Sequence, residues 1–151
     1  MDYFTARTTA NAAPEDILRV LTDPEAIRDW SPIPFDVDDL DSRTLEAGSS
    51  ARVSGSLAGK RVGFDVEVHA ADADALQLTA EGPIGIDVLY ELERVAAGSE
   101  VKASVGVRDG SGITGRILAK ATGALLKAGA LDAAAGRIAR AAECGACAIA
   151  A

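Results

Sequence analysis

From Ala51 to Arg108 apolar residues recur on alternate positions through one segment after another, and beyond Gly112 the period changes once, into a long Ala/Gly-rich helical stretch from Ile113 to Glu143. Alternation of this kind gives a strand one apolar and one polar face, because successive side chains point to opposite sides. The pattern predicts strands over 50–57, 61–71, 75–81, 84–95 and 100–108. Between them lie Ala58-Gly59-Lys60, Asp72-Ala73-Asp74, Gly82-Pro83 and Ala97-Gly98. Links so short, with no helical pattern in any of them, make neighbouring strands antiparallel and exclude an α/β crossover fold for this block.

Sorting the block by parity separates the side chains by polarity. One face carries Val53, Val62, Phe64, Val66, Val68, Leu76, Leu78, Ile86, Val88, Tyr90, Leu92, Val101, Val105 and Val107; the other carries Arg52, Asp65, Glu67, His69, Gln77, Glu81, Asp87, Glu91 and Lys102. Leu89 alone breaks the separation clearly. A sheet of this type must cover its apolar face, and the long element available to do so is the terminal helix. Unbroken from Ile113 to Glu143, that helix spans on the order of 45 Å at roughly 1.5 Å per residue, enough to cross the whole sheet. Steps of three and four place Ile113, Ile117, Ala121, Ala124, Ala128, Leu131, Ala135 and Ile138 on one stripe, with Arg116, Lys120, Lys127, Arg137 and Arg140 directed elsewhere. Gly115, Gly123, Gly129 and Gly136 cost about 1 kcal/mol each in a helix interior. With the many alanines they keep the buried side slim, so the helix either approaches the sheet closely or leaves space beneath it.

Ahead of the block, Tyr3–Ala10 reads as a first strand. Pro14 then opens a short amphipathic helix in which Glu15 and Asp16 occupy the positive end and Ile17, Leu18 and Leu21 share a face. Asp23-Pro24-Glu25 repeats the start signal for a second short helix reaching Trp30, ended by Ser31-Pro32-Ile33-Pro34. Phe35–Leu45 contains Asp36, Asp38, Asp39 and Asp41 and is either a ragged edge strand or a loop. An EF-hand counted from Asp36 fails, because its sixth and twelfth positions are Asp41 and Ala47 rather than Gly and Glu.

The length of 151 residues fits one domain, over 1–143, followed by a tail at 144–151. The 23 acidic residues against 15 basic give a formal charge of −8, which disfavours nucleic acid or anionic lipid as partners. No segment approaches the roughly 18 apolar residues of a spanning helix, and the first residues, MDYFTART, lack the basic start and apolar core of a signal peptide. A cytoplasmic protein without membrane insertion, monomeric or homodimeric, is the expectation. The Cys144 and Cys147 pair has C-x-x-C spacing, but it neither follows a strand nor has the further ligands a zinc site requires, and reads as two thiols in the tail.

Ala13-Pro14-Glu15-Asp16-Ile17, Asp23-Pro24, Trp30, Leu45 with Gly48, the Gly82-Pro83 turn and the terminal Ala/Gly helix together resemble the polyketide cyclase/dehydrase branch of the START-like, helix-grip (SRPBCC) superfamily. In element order the resemblance covers nearly the whole chain, and its motifs mark the fold and carry no catalytic signature. It implies an α+β fold in which a curved antiparallel sheet of six or seven strands wraps a long C-terminal helix, with two short helices after the first strand. It further implies a cavity for an apolar or aromatic ligand. Members include aromatases, cyclases, lipid carriers and hormone receptors, so the fold by itself selects no activity.

The expected cavity is lined by Trp30, Phe64, Val66, Ile86, Val88, Tyr90, Val105, Leu118, Thr122 and Leu125. General acid and base catalysis needs titratable groups aimed at a substrate. The inward parity supplies one phenol, Tyr90, faced by the hydroxyls of Thr114 and Thr122. Arg116 completes a short set of catalytic candidates, and Arg108 and Arg116, flanking Gly110-Ser111-Gly112, are candidate anchors for a carboxylate or phosphate. The single histidine, His69, falls on the outer face, and Trp30 either walls the cavity or plugs it. No nucleophile elbow, Walker loop, dinucleotide fingerprint or metal cluster occurs, and no cofactor is implied. Three functions remain open: binding of a polyketide- or lipid-like small molecule, cyclisation or dehydration of a poly-ketone chain, and an accessory role in which the surface binds another protein.

Overall fold

A computed structural model describes residues 2–31, 35–57, 59–108, 110 and 112–150. Strand β1 (Asp2–Ala10) is followed by helices α1 (Pro14–Thr22) and α2 (Ile27–Trp30), then by β2 (Phe35–Leu40), β3 (Ser50–Leu57), β4 (Lys60–Ala71), β5 (Ala75–Glu81), β6 (Gly85–Val95) and β7 (Gly98–Arg108). The seven strands form one antiparallel sheet in the order β1-β7-β6-β5-β4-β3-β2. It is a meander from β2 to β7, closed by the first strand on the far side of the last. The acidic segment Phe35–Leu45 divides: Phe35–Leu40 is the edge strand β2, bulged between Val37 and Asp39, and 41–45 is loop. Its row of aspartates charges an edge that would otherwise invite pairing with another chain.

Parity holds throughout. Phe64, Val68, Leu76, Ile84, Tyr90, Val101 and Ala103 are each at most 2 % exposed, while Arg52, Asp65, Glu67, His69, Gln77, Glu81 and Glu91 on the opposite face are exposed. Ion pairs cross that outer face, Arg52 with Asp65 at 2.7 Å and Arg108 with Glu81 at 2.6 Å. Helix α1 starts at Pro14 as expected and buries Ile17 and Leu21 completely. The loop before β3 is fixed by the Leu45 N–H donating to the Thr22 carbonyl at 3.0 Å and by the Gly48 N–H donating to the Val68 carbonyl at 2.8 Å.

The terminal helix differs from the expected one in continuity, phase and length. Helix α3 (Gly112–Leu125) passes through a π-helical turn at Leu126–Ala130 into α4 (Leu131–Ala150). Gly129 in that turn has φ 107°, a value L side chains rarely adopt. Buried residues run Gly115, Leu118, Ala119, Thr122, Leu126 before the break and Leu131, Ala135, Ile138, Ala142 after it. The step from Leu126 to Leu131 is five residues, so a stripe counted in threes and fours is correct for α4 and out of phase for α3. Ile113 and Ile117 are accordingly 77 % and 58 % exposed. The backbone remains helical past Glu143 to Ala150, where a tail was expected; the Cys147 side chain lies outside the described residues.

Helix α4 packs on β1, α1, α2 and β7, and α3 reaches from β7 to β3 across the concave face. Two contacts register this cover on the sheet. The Glu143 carboxylate accepts the Asn11 N–H at 2.8 Å, and at the start of α3 Gly115 lies so close to Gly110 that a Cβ there would come within 2.7 Å of the Gly110 Cα.

The two helical glycines at 123 and 129 should respond oppositely to alanine. Gly123→Ala, whose Cβ meets only Phe4 at 3.5 Å, should stabilise by about 0.5–1 kcal/mol through loss of chain freedom in the unfolded state. Gly129→Ala meets no atom within 4 Å but retains the positive φ, and should destabilise by about 1–2 kcal/mol. Urea denaturation of both variants measures the pair.

Candidate functional site

Because α3 bridges β7 and β3 with small residues on its inner side, it does not fill the concavity beneath it. A cavity of about 120 Å³ remains. Its walls come from the inward face of β3 to β7, from Leu21 of α1, Trp30 at the end of α2, Phe35 and Val37 of β2, and Thr122 and Leu126 of the terminal helix. Of the residues expected there, Trp30, Phe64, Val66, Ile86, Val88, Tyr90, Val105 and Thr122 line it. Leu118 is buried without reaching it, and Leu125 is 41 % exposed, its place taken by Leu126. The phase shift at the π-helical turn explains that exchange.

The polar groups at the cavity are few. Tyr90 is 2 % exposed, and its ring meets the edge of Trp30 at 5.6 Å between centroids and an interplanar angle of 87°. Its hydroxyl has no hydrogen-bond partner among the described residues. Burial pushes the phenol well above its usual range, and the positive charge of Arg137 acts the other way to a smaller extent. Tyr90 is therefore a neutral hydroxyl at physiological pH, able to donate and accept. Thr122 is fully buried, and its Oγ1 donates to the Leu118 carbonyl at 2.7 Å, so its proton is committed to the helix backbone. Trp30 is held as a wall by its Nε1 donating to the Val20 carbonyl at 3.1 Å.

The other candidates lie away from the cavity. Arg116 and Thr114 are exposed on α3. Arg108 sits on the outer face, its guanidinium engaged by Glu81 at 2.6 Å and Asp87 at 3.1 Å; these hydrogen bonds raise its pKa further and use it structurally. His69 is exposed, with Nε2 3.0 Å from the Thr79 hydroxyl. Among the described residues no three His, Cys, Asp or Glu side chains converge as a metal site.

One basic residue departs from its expected direction. Arg137 of α4, predicted to point away with the other basic side chains, is half-buried, and its Nη2 donates to the carbonyls of Trp30 at 3.3 Å and Ser31 at 3.1 Å. No periodic signal marks it. It lies one position before Ile138 in a helix whose other cations are solvated, and only the placement of α2 and Ser31 draws it inward.

No family model and no curated protein sequence matches the chain. Solved structures do. Protein CV1439 from Chromobacterium violaceum superposes with a TM-score of 0.69 at 13% identity, over 95% of this chain and 99% of its own. DynU16, from the dynemicin biosynthetic locus, gives 0.62 at 23% identity over 96% of this chain, which spans 48% of DynU16. Ara h 8.0201 gives 0.55 at 15% identity over 91% of this chain and 97% of its own. At such identities the likeness establishes the fold, which is the helix-grip arrangement of a curved antiparallel sheet around a C-terminal helix.

The buried phenol gives a testable pH dependence. Its folded-state pKa is raised, so the stability it contributes is complete below the unfolded value of about 10 and is lost as pH rises above it. Wild type should lose stability above pH 10 more steeply than Tyr90→Phe, the difference approaching but not exceeding about 1.4 kcal/mol per pH unit. Denaturant titrations between pH 8 and 11 measure it.

Proposed function

We propose that the protein binds an apolar or aromatic small molecule in the cavity between the sheet and α3. The observation that carries this reading is the composition of the walls. Aliphatic and aromatic side chains from six strands and three helical segments converge on a space that none of them fills, and among the described residues lining it Tyr90 is the one titratable side chain. A pocket with many hydrocarbon contacts and few polar groups holds a ligand by its apolar area and orients it by those groups. At about 120 Å³ the space is comparable to the dry cavities of about 150 Å³ that admit benzene. It accommodates a single ring as it stands, and larger polyketide- or lipid-like ligands require α3 to move outward.

Binding is favoured over turnover by the state of the polar groups. A general acid or base works best with a pKa near the working pH. Tyr90 is displaced upward from an already high value, and the Thr122 proton is bonded to the backbone. The specific observation favouring a cyclase or dehydratase is the Tyr90 hydroxyl at the wall, which has no partner among the described residues and could orient a ketone by hydrogen bonding. The fold shared with DynU16 of a biosynthetic locus is compatible with either role.

Titration of ¹⁵N-labelled protein with p-xylene should give saturable shifts confined to residues around Trp30, Val88, Tyr90 and Thr122. Ala80→Leu, which adds a larger side chain at the buried cavity wall, should weaken p-xylene at least tenfold without lowering thermal stability. A fully packed interior, with no saturable binding of benzene, p-xylene or 2-methylnaphthalene, overturns the reading.

A further inference from the structure

Arg137 is the cation whose environment the fold does not explain. Its Nε is buried and has no hydrogen-bond partner among the described residues. A buried donor left unpaired costs about 1–3 kcal/mol, more when it belongs to a charged group. Six of the other arginines, at positions 7, 19, 28, 52, 94 and 108, are paired with carboxylates on the surface. Arg137, the one drawn inward, forms no ion pair among the described residues. Its Nη2 is fixed by the Trp30 and Ser31 carbonyls, and both of those residues line the cavity.

The guanidinium stands behind the wall, holding the carbonyls of Trp30 and Ser31, and is not itself among the side chains that line the space. Trp30 meets Tyr90 edge-on at 5.6 Å, and the charge of Arg137 is felt at the Tyr90 phenol. The cavity is therefore asymmetric: hydrocarbon over most of its wall, and towards Trp30 and Ser31 a phenolic hydroxyl with no partner among the described residues, with a cation that has an unused N–H behind the wall. Carbonyl oxygens neutralise none of that cation's charge. The group that would satisfy it is an anionic oxygen acceptor attached to an apolar body.

We propose that the ligand is an amphipathic acid, an aromatic or aliphatic carboxylate whose ring or chain occupies the hydrocarbon cavity and whose carboxylate accepts from Arg137 and the Tyr90 hydroxyl at the Ser31 end. This rests on the binding function above and adds the class of ligand. A neutral hydrocarbon uses the same walls and leaves the guanidinium as it is. An amine is disfavoured, because it brings a second positive charge to a site that already has one.

The pair p-toluate and p-xylene, which differ by a carboxylate in place of a methyl, tests this. Wild type should bind p-toluate at least as tightly as p-xylene, although a cavity without an anchor would exclude the anion. Arg137→Met should weaken p-toluate at least tenfold more than it weakens p-xylene, and Arg137→Lys should restore part of the p-toluate affinity. In wild type, the Arg137 ¹⁵Nε–H resonance should move on addition of p-toluate and not of p-xylene, a readout independent of whether the variants fold. Equal loss of both ligands in Arg137→Met, with no movement of that resonance, assigns Arg137 to holding the Trp30–Ser31 carbonyls and overturns the inference. Binding of p-xylene without p-toluate overturns it while leaving the container intact. Binding of neither removes both.

Discussion

The structure depends on the burial of one face of a strongly two-sided sheet. Every strand from β3 to β7 presents hydrocarbon on alternate residues, and a one-residue slip in any register would exchange that face for charge. The sheet cannot be left half-covered, since an uncovered face of this size would drive association. Everything else follows from how the cover is made. Helix α4 lies against β1 and α1 and closes that side with Leu131, Ala135 and Ile138, all at most 2 % exposed. Helix α3 crosses from β7 to β3 with small residues beneath it and closes the remainder imperfectly. The cavity is the residue of that imperfect closure.

The chemistry of the site follows from the same division. Strand parity supplies a wall that is almost entirely hydrocarbon, and the polar groups enter where helices meet it: Thr122 from α3 and Trp30 from α2, whose carbonyl is held from behind by Arg137 of α4. Tyr90 is the exception, a polar group on a strand. Its hydroxyl has no partner among the described residues, although an interior tyrosine ordinarily finds one. The phenol, and the proposed reach of Arg137 past the Trp30 carbonyl, would give the cavity a direction that its shape alone does not.

What could be read from the residues divides by period. Strand periodicity is two, so parity assigned to Phe64, Val88 or Val105 carries without drift along its strand, and the six expected lining residues on strands are all found at the cavity. Helical periodicity is 3.6 and accumulates error. The register change at the Leu126–Ala130 turn displaced the expected face of α3, putting Ile113 and Ile117 in solvent and exchanging Leu125 for Leu126. Gly129 was read only as one of four glycines that keep an unbroken helix slim, since a glycine in an Ala/Gly-rich helix signals slimness as readily as a break. The inward turn of Arg137 was not legible at all, because it depends on where two carbonyls from another helix come to rest. Phe35 and Val37 were missed for a related reason: an acidic segment gave no basis for choosing between strand and loop.

The turn at Gly129 also divides the cover into two parts of unequal strength. Beyond it, α4 is pinned by Leu131, Ala134, Ala135, Ile138, Ala139 and Ala142, all buried, and by the Glu143 carboxylate. Before it, α3 is held by Gly115, Leu118, Ala119 and Thr122, with Leu126 at the turn itself. Less buried hydrocarbon means a lower free energy of local opening, and on that ground the amides of α3 should exchange with solvent sooner than those of α4 and the sheet. For the proposed ligand this separates release from the stability of the whole protein: exit through α3 needs the opening of one fourteen-residue helix, with the sheet that gives the pocket its shape left in place.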